Sequence, residues 1–218
     1  MEFKKIQLNG FKSFAEKTNF LIEKGLTGIV GPNGCGKSNI VESLRWCMGE
    51  TSAKSMRGSG MEDVIFSGTS NKPSKNIAEV VLSLNNENKD GPHQYNELED
   101  IEIRRKIEKD KGSKFYINNK EVRAKDAQMF FADLSTGAHS PSMISQGRIG
   151  ALVTAKPSDR RAILEEAAGI AGLHVRRHEA EIRLGAAENN LKRADELRRQ
   201  QEKQLANLEK QAEEAAKY

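Results

Sequence analysis

Apolar and polar positions alternate over residues 2–8, with Phe3, Ile6 and Leu8 apolar, and this pattern predicts a strand. A turn at Asn9 and Gly10 leads to Phe14, and Phe20, Leu21 and Ile22 suggest a second strand. Leu26, Ile29 and Val30 lie in a short apolar stretch bounded by glycines, which reads as a buried strand. After Gly36 the period becomes helical, placing Ile40, Val41, Leu44, Cys47 and Met48 on one side. Residues 50–60 are a loop rich in Ser, Gly and Lys, and 77–84 and 101–107 alternate as strands. Between those strands, Asp90, Gly91 and Pro92 form a turn within a polar excursion expected to be mobile. Residues 114–117 and 120–123 flank Asn118 and Asn119, a tight-hairpin signal, and 125–134 reads as a helix. Pro157, Ser158 and Asp159 open another helix, with Asp159 near its positive end.

The C-terminal stretch has a different period. Leu184, Ala187, Leu191, Ala194, Arg198, Gln201, Leu205, Leu208, Ala212 and Ala215 follow one another in alternating steps of three and four. That is the a/d register of a coiled coil, interrupted by Arg198 and Gln201. As one helix, residues 174–217 would reach roughly 66 Å at about 1.5 Å per residue, longer than the domain it would lie on. The heptads continue to the last residues without a C-cap, so the sequence reads as a piece of a longer coil.

Composition sharpens this division. The last proline is Pro157, and no aromatic residue lies between Phe131 and Tyr218. Residues 1–157 therefore read as a globular domain and 158–218 as the start of a coiled-coil arm. The chain has 218 residues, of which 37 % are apolar, enough for a real core. Two cysteines, Cys35 and Cys47, make no disulfide framework and have no metal-ligand company. No run of 18 apolar residues exists, and the N-terminus lacks the apolar stretch of a signal peptide, so a cytoplasmic setting without a membrane is expected. Net charge is +4, and the basic excess concentrates in 101–125, which includes Arg104, Arg105, Lys120 and Arg123. Such a run is either a solvated hairpin face or a contact for nucleic acid, whose counterions clustered cations displace.

Gly31, Pro32, Asn33, Gly34, Cys35, Gly36, Lys37 and Ser38 match G-x-x-x-x-G-K-[ST] between the apolar stretch and the helical period. Glycines let consecutive backbone N–H groups turn inward around phosphate oxygens, and the following helix N-terminus adds positive charge. Lys37 then bridges the β- and γ-phosphates and the Ser38 hydroxyl takes a Mg²⁺ position. The competing reading is a Gly-rich turn that binds nothing. Cys35 reads as a small filler in the loop. A Walker B strand, apolar and ending in Asp, is missing: the stretch 78–84 runs into Asn85, Asn86 and Glu87. Leu134, Ser135, Thr136 and Gly137 only superficially match a cassette signature motif. The sequence holds a nucleotide pocket without the acidic machinery that polarises water.

Taken in order, these motifs resemble the N-terminal half of the head of a bacterial structural-maintenance-of-chromosomes (SMC) protein. The resemblance rests on Gly10 to Phe14, on GPNGCGKSN ending at Asn39, and on Arg45, Trp46, Gly49 and Glu50. It also rests on the arginine loop Lys54 to Gly58, on the Q-loop Ile144 to Ile149, and on KPSDRRAILEEAAGI opening the arm. The polar excursion and Ser145, where the family often has Gly, depart from its pattern. The fold implied is α/β: a P-loop NTPase of the ATP-binding-cassette class, as the N-terminal lobe of a split head, followed by a long coiled-coil helix. Gln146 would ligate Mg²⁺ or place the attacking water, Arg57 would approach the phosphates, and Lys12 and Ser13 would contact the nucleotide. Expected cofactors are ATP and Mg²⁺. The family's signature motif and Walker B return in a C-terminal head lobe, and ATP is sandwiched between two heads. Implied partners are therefore that lobe, a second SMC copy, a kleisin-type subunit and double-stranded DNA, and the protein would organise chromosomes at the nucleoid. A transporter-type cassette fails on the missing motifs and the heptad arm. A zinc-hook DNA-repair ATPase stays closer, and an adaptor with a decayed P-loop is opposed by the intact Gly31, Gly36, Lys37 and Ser38.

Overall fold

The computed structural model describes residues 1–89, 91–134, 136, 137, 143, 144, 148–168 and 171–217. Its contacts divide the chain into two units, Met1–Gly172 and Leu173–Tyr218.

In the first unit, six strands are β1 (Glu2–Asn9), β2 (Thr18–Leu21), β3 (Ile77–Asn85), β4 (Asp100–Glu108), β5 (Gly112–Ile117) and β6 (Lys120–Val122). They pair in the order β2-β1-β3-β4-β5-β6, every pairing antiparallel. The register explains how one face becomes a core. Across β3 and β4, Ala78 faces Ile107, Val80 faces Arg105, Leu82 faces Ile103 and Leu84 faces Ile101, all buried. A one-residue slip would turn this whole set outward. Asn118 and Asn119 both take positive φ, +46° and +64°, as the expected two-residue hairpin turn requires.

Two helices, α1 (Lys37–Cys47) and α2 (Ala124–Asp133), supply residues to the core formed with this face. Helix α1 contributes Ile40, Trp46 and Cys47, and the fully buried Trp46 ring lies 5.4 Å from Phe11. The Cys47 thiol donates weakly to the Val80 and Ile103 carbonyls, and burial pushes it up to about 12. Helix α2 contributes Phe130 and Phe131, with Tyr95 edge-on to Phe130. Two further helices, α3 (Arg148–Val153) and α4 (Pro157–Ala167), follow; α3 carries no sequence signal of its own.

The polar excursion between β3 and β4 is closed around a buried side chain rather than left loose. Asn86 is 1 % exposed. Its amide nitrogen donates to the Leu98 and Tyr95 carbonyls, and its side-chain oxygen accepts from Gly91.

One predicted element is absent. Residues 26–30 form no strand, and Leu26 and Val30 are 99 % and 94 % exposed. An apolar strand of this kind needs neighbours at both edges to satisfy its backbone. Among the described residues none pairs with it.

The second unit consists of helix α5 (Ala171–Ala216) from Leu173 onward. Its 46 residues reach about 69 Å at the ordinary rise. The heptad leucines Leu184, Leu191, Leu205 and Leu208 are all exposed. Arg198 lies 3.8 Å from both Asp195 and Glu202 on the same helix. No helix among the described residues is long and apolar enough to cross a membrane.

Candidate functional site

The loop 31–36 delivers the chain into α1 through Gly36, the helix N-cap, at φ +97°. Gly34 is also left-handed, at +83°. Gly36 is required twice: a Cβ there would lie 2.4 Å from the Ser13 hydroxyl oxygen. No side chain caps α1, and its first turn has no acidic residue, so its positive end is left to the loop. The Lys37 ammonium folds back into the loop and donates to the carbonyls of Gly31 at 2.6 Å and Pro32 at 2.7 Å. Cys35 is exposed, its sulfur 3.8 Å from that ammonium. Pro32, Asn33 and Ser38 are exposed as well. A loop with left-handed glycines, a lysine folded back onto its carbonyls and a hydroxyl at the helix start fits a magnesium-bound nucleoside triphosphate.

Around it, the structure gathers Ser13, Asn39, Arg57 and Lys12. The Asn39 amide donates to the Ser13 hydroxyl at 2.9 Å, and an Arg57 terminal nitrogen donates to the Asn39 oxygen at 3.2 Å. Arg57 ends a short 3₁₀ turn, Lys54–Met56, at φ +55°. The following turn is pinned by Asp63, which accepts from the Ser59 and Gly60 amides and the Ser59 hydroxyl. Those bonds, the Gly60 amide first, hold its carboxyl below the usual 3.8. A cavity of about 300 Å³ opens beside Ser38, lined also by Glu42, Arg45, Ser55 and Arg57.

Two expected roles change. Lys12 does not turn its ammonium to the loop. It pairs with Glu42 and donates to the Met56 carbonyl, with its side chain 13 % exposed. Arg105 is 3 % exposed and leaves the proposed nucleic-acid face altogether. Its parity on β4 points it inward, where it stacks 4.5 Å from the Trp46 ring and 4.6 Å from Phe115. It donates to the Trp46 and Glu50 carbonyls, tying off the end of α1. Burial lowers its guanidinium to about 10, so it stays charged at neutral pH. Arg104 points to the other face, over Tyr116 and bonded to Asn119, while Lys120 and Arg123 are exposed. Gln146 lies outside the described residues, as do Ser145 and Gly147 of the Q-loop. Glu42 carries no motif and was not legible in the sequence; it stands four residues after Ser38 on α1 and is 8 % exposed.

Comparison with known proteins converges on one family. The chain is 53 % identical over all 218 residues to the chromosome partition protein Smc of Rhodopseudomonas palustris, of which it spans 19 %. It therefore covers about a fifth of that relative's length. A crystal structure of the Smc head domain with an extended coiled coil, bound to the C-terminal domain of ScpA, from Pyrococcus furiosus, matches 90 % of this chain. The match covers 49 % of that chain, with TM-score 0.72 and 32 % identity. A second solved chain, from structural biochemistry of ATP-driven dimerization and DNA stimulated activation of SMC ATPases, matches 77 % of this chain and 99 % of its own. Its TM-score is 0.66 and its identity 32 %. The profile of the RecF/RecN/SMC N terminal domain matches residues 2–148, and on that ground the chain belongs to this family as an N-terminal SMC head segment.

Proposed function

We propose that the chain is the ATP-holding lobe of the head of a chromosome-partition ATPase. The observation that carries this is the loop from Gly31 to Ser38, closed around the Lys37 ammonium at the uncapped start of α1. On triphosphate binding, Lys37 exchanges the Gly31 and Pro32 carbonyls for the β- and γ-phosphates, a charge-assisted and stronger pairing. The backbone of Gly31, Pro32, Asn33, Gly34, Cys35 and Gly36 cradles the phosphates, with Ser13 and Asn39 beside them. Ser38 and Gln146 hold Mg²⁺, which supplies charge neutralisation at the phosphates. Arg57 approaches from its 3₁₀ turn.

Hydrolysis needs residues this sequence lacks, so turnover belongs to a head completed by a C-terminal lobe and a second SMC copy. The exposed Leu26, Ile29 and Val30 support a docking surface for that lobe. The Pyrococcus head was solved with ScpA, which supports a kleisin-type partner here. Double-stranded DNA, read without sequence preference, is assigned to the face of Arg104, Lys120 and Arg123, and the setting is the cytoplasm at the nucleoid. The comparisons do not favour the zinc-hook repair ATPase. In the intact protein, Lys37→Ala should abolish calorimetric binding of a non-hydrolysable ATP analogue; unchanged affinity would sink the assignment.

A further inference from the structure

We propose that Glu42 is a positioning residue that holds Arg57 for the nucleotide, an inference that rests on the nucleotide reading above. The Glu42 carboxylate divides its two oxygens between two cations: one takes the Arg57 Nε and the other the Lys12 ammonium. Lys12 alone would neutralise it. With the second pairing, Glu42, Lys12 and Arg57 together carry one positive charge, and Glu42 and Arg57 of this trio line the cavity beside Ser38, where an anion would complete the arrangement.

The geometry of the two cations differs in a way that assigns their roles. Lys12 is inward, with 13 % of its side chain exposed, and it also donates to Met56, the residue before Arg57. Arg57 is outward, 59 % exposed. Its Nε edge is held by Glu42 and one terminal nitrogen by Asn39, which leaves its other N–H groups for an incoming phosphate. Both cations sit on left-handed backbone, Lys12 at φ +46° and Arg57 at φ +55°, a conformation that non-glycine residues keep only when their surroundings impose it. Here both imposed residues converge on one carboxylate. An arginine on a surface turn loses much rotamer freedom on gripping a phosphate. Glu42 removes that cost beforehand by fixing the guanidinium at the site.

The test is made in the intact protein, with a non-hydrolysable ATP analogue and Mg²⁺ followed by calorimetry, and with steady-state hydrolysis. Glu42→Gln and Arg57→Ala should each weaken the analogue about tenfold, the scale of one charge-assisted hydrogen bond. The double variant should be no weaker than Arg57→Ala alone, and both single variants should divide their loss between KM and kcat in the same proportion. Losses that multiply in the double variant, or an unchanged Glu42→Gln, overturn the proposal. Should Glu42→Gln leave Lys12 buried and the protein unfolded, Lys12→Met with Glu42→Gln removes both charges together. The same tenfold loss and the same kinetic split are expected there, and native affinity in that variant overturns the proposal. Lys37→Ala separates this inference from the one beneath it. If Lys37→Ala abolishes binding while Arg57→Ala changes nothing, Glu42 loses its role and the nucleotide site stands; if Lys37→Ala binds normally, both fall.

Discussion

The two strands of the central pair and the heptad helix are both written in apolar periodicity, yet they end in opposite environments. On β3 and β4, Leu82 and Ile103 meet across the sheet and are fully buried. On α5, Leu205 and Leu208 repeat just as regularly and remain 58 % and 61 % exposed. Residues 26–30 share the fate of the helix: apolar, patterned and solvent-facing. Periodicity therefore states which face an element intends to bury, while the partner that buries it must lie within reach of the same unit. The sheet finds its cover in α1 and α2. The described residues bring none to the exposed Leu26 and Val30, or to the leucines of the second unit.

This contrast predicts a large difference in mutational cost. Trp46→Ala should destabilise the first unit by about 3–5 kcal/mol, because it empties a fully buried site and strips the Arg105 guanidinium of one stacking ring. Leu208→Ala in the 218-residue chain should stay within about 0.5 kcal/mol, as for an exposed position. Denaturant unfolding of both variants measures this. A comparable loss at Leu208 would mean that α5 already has its cover and would break the comparison.

A finer version concerns two neighbours on one strand. Arg104 and Arg105 read alike as members of a basic run, but the parity of Ile101, Ile103, Arg105 and Ile107 turns one inward and leaves the other on the far face. Reversing the charge at Arg104, Lys120 and Arg123 should flatten the salt dependence of DNA binding, the slope falling by about 1 for each phosphate no longer neutralised. Fluorescence titration at several salt concentrations, with folding checked by circular dichroism, reads this out. A slope that survives the three reversals would make the run a solvated face.

How much of the molecule was readable follows from the same reasoning. The strands of the sheet, the Asn118–Asn119 turn, both core helices and the long helix were legible, because each is specified by local period or by turn chemistry, whereas the apolar stretch 26–30 reads as a buried strand and forms none. The loop at Gly31 to Ser38 was legible because its glycines and lysine are contiguous. Arg105 was misread although the signal was present, since its charge outweighed its parity. The Asn86 anchor and the Glu42 cluster could not be read. Their partners, Leu98 and Tyr95 in one case and Lys12 and Arg57 in the other, come from separate segments that only the fold brings together.

The smallest expected effect lies beside the site, where exposed backbone rather than a core is being held. Asp63 accepts three hydrogen bonds from Ser59 and Gly60, and they depress its carboxyl below 3.8. A carboxyl that is lowered in the folded chain stabilises the fold above its unfolded value and loses that contribution as pH falls through the folded one. The turn after Arg57 should therefore keep its hold at neutral pH and release it only in acid, starting near pH 3.8. Amide exchange at Ser59 and Gly60 is the direct observable. Protection should drop below that pH in the native chain, whereas Asp63→Ala should lack it already at neutral pH, with global unfolding barely shifted because the group is surface-exposed. If Asp63→Ala left both amides protected, the turn would be held by its backbone alone. The arginine loop would then resemble the self-sufficient sheet more than the partner-dependent helix.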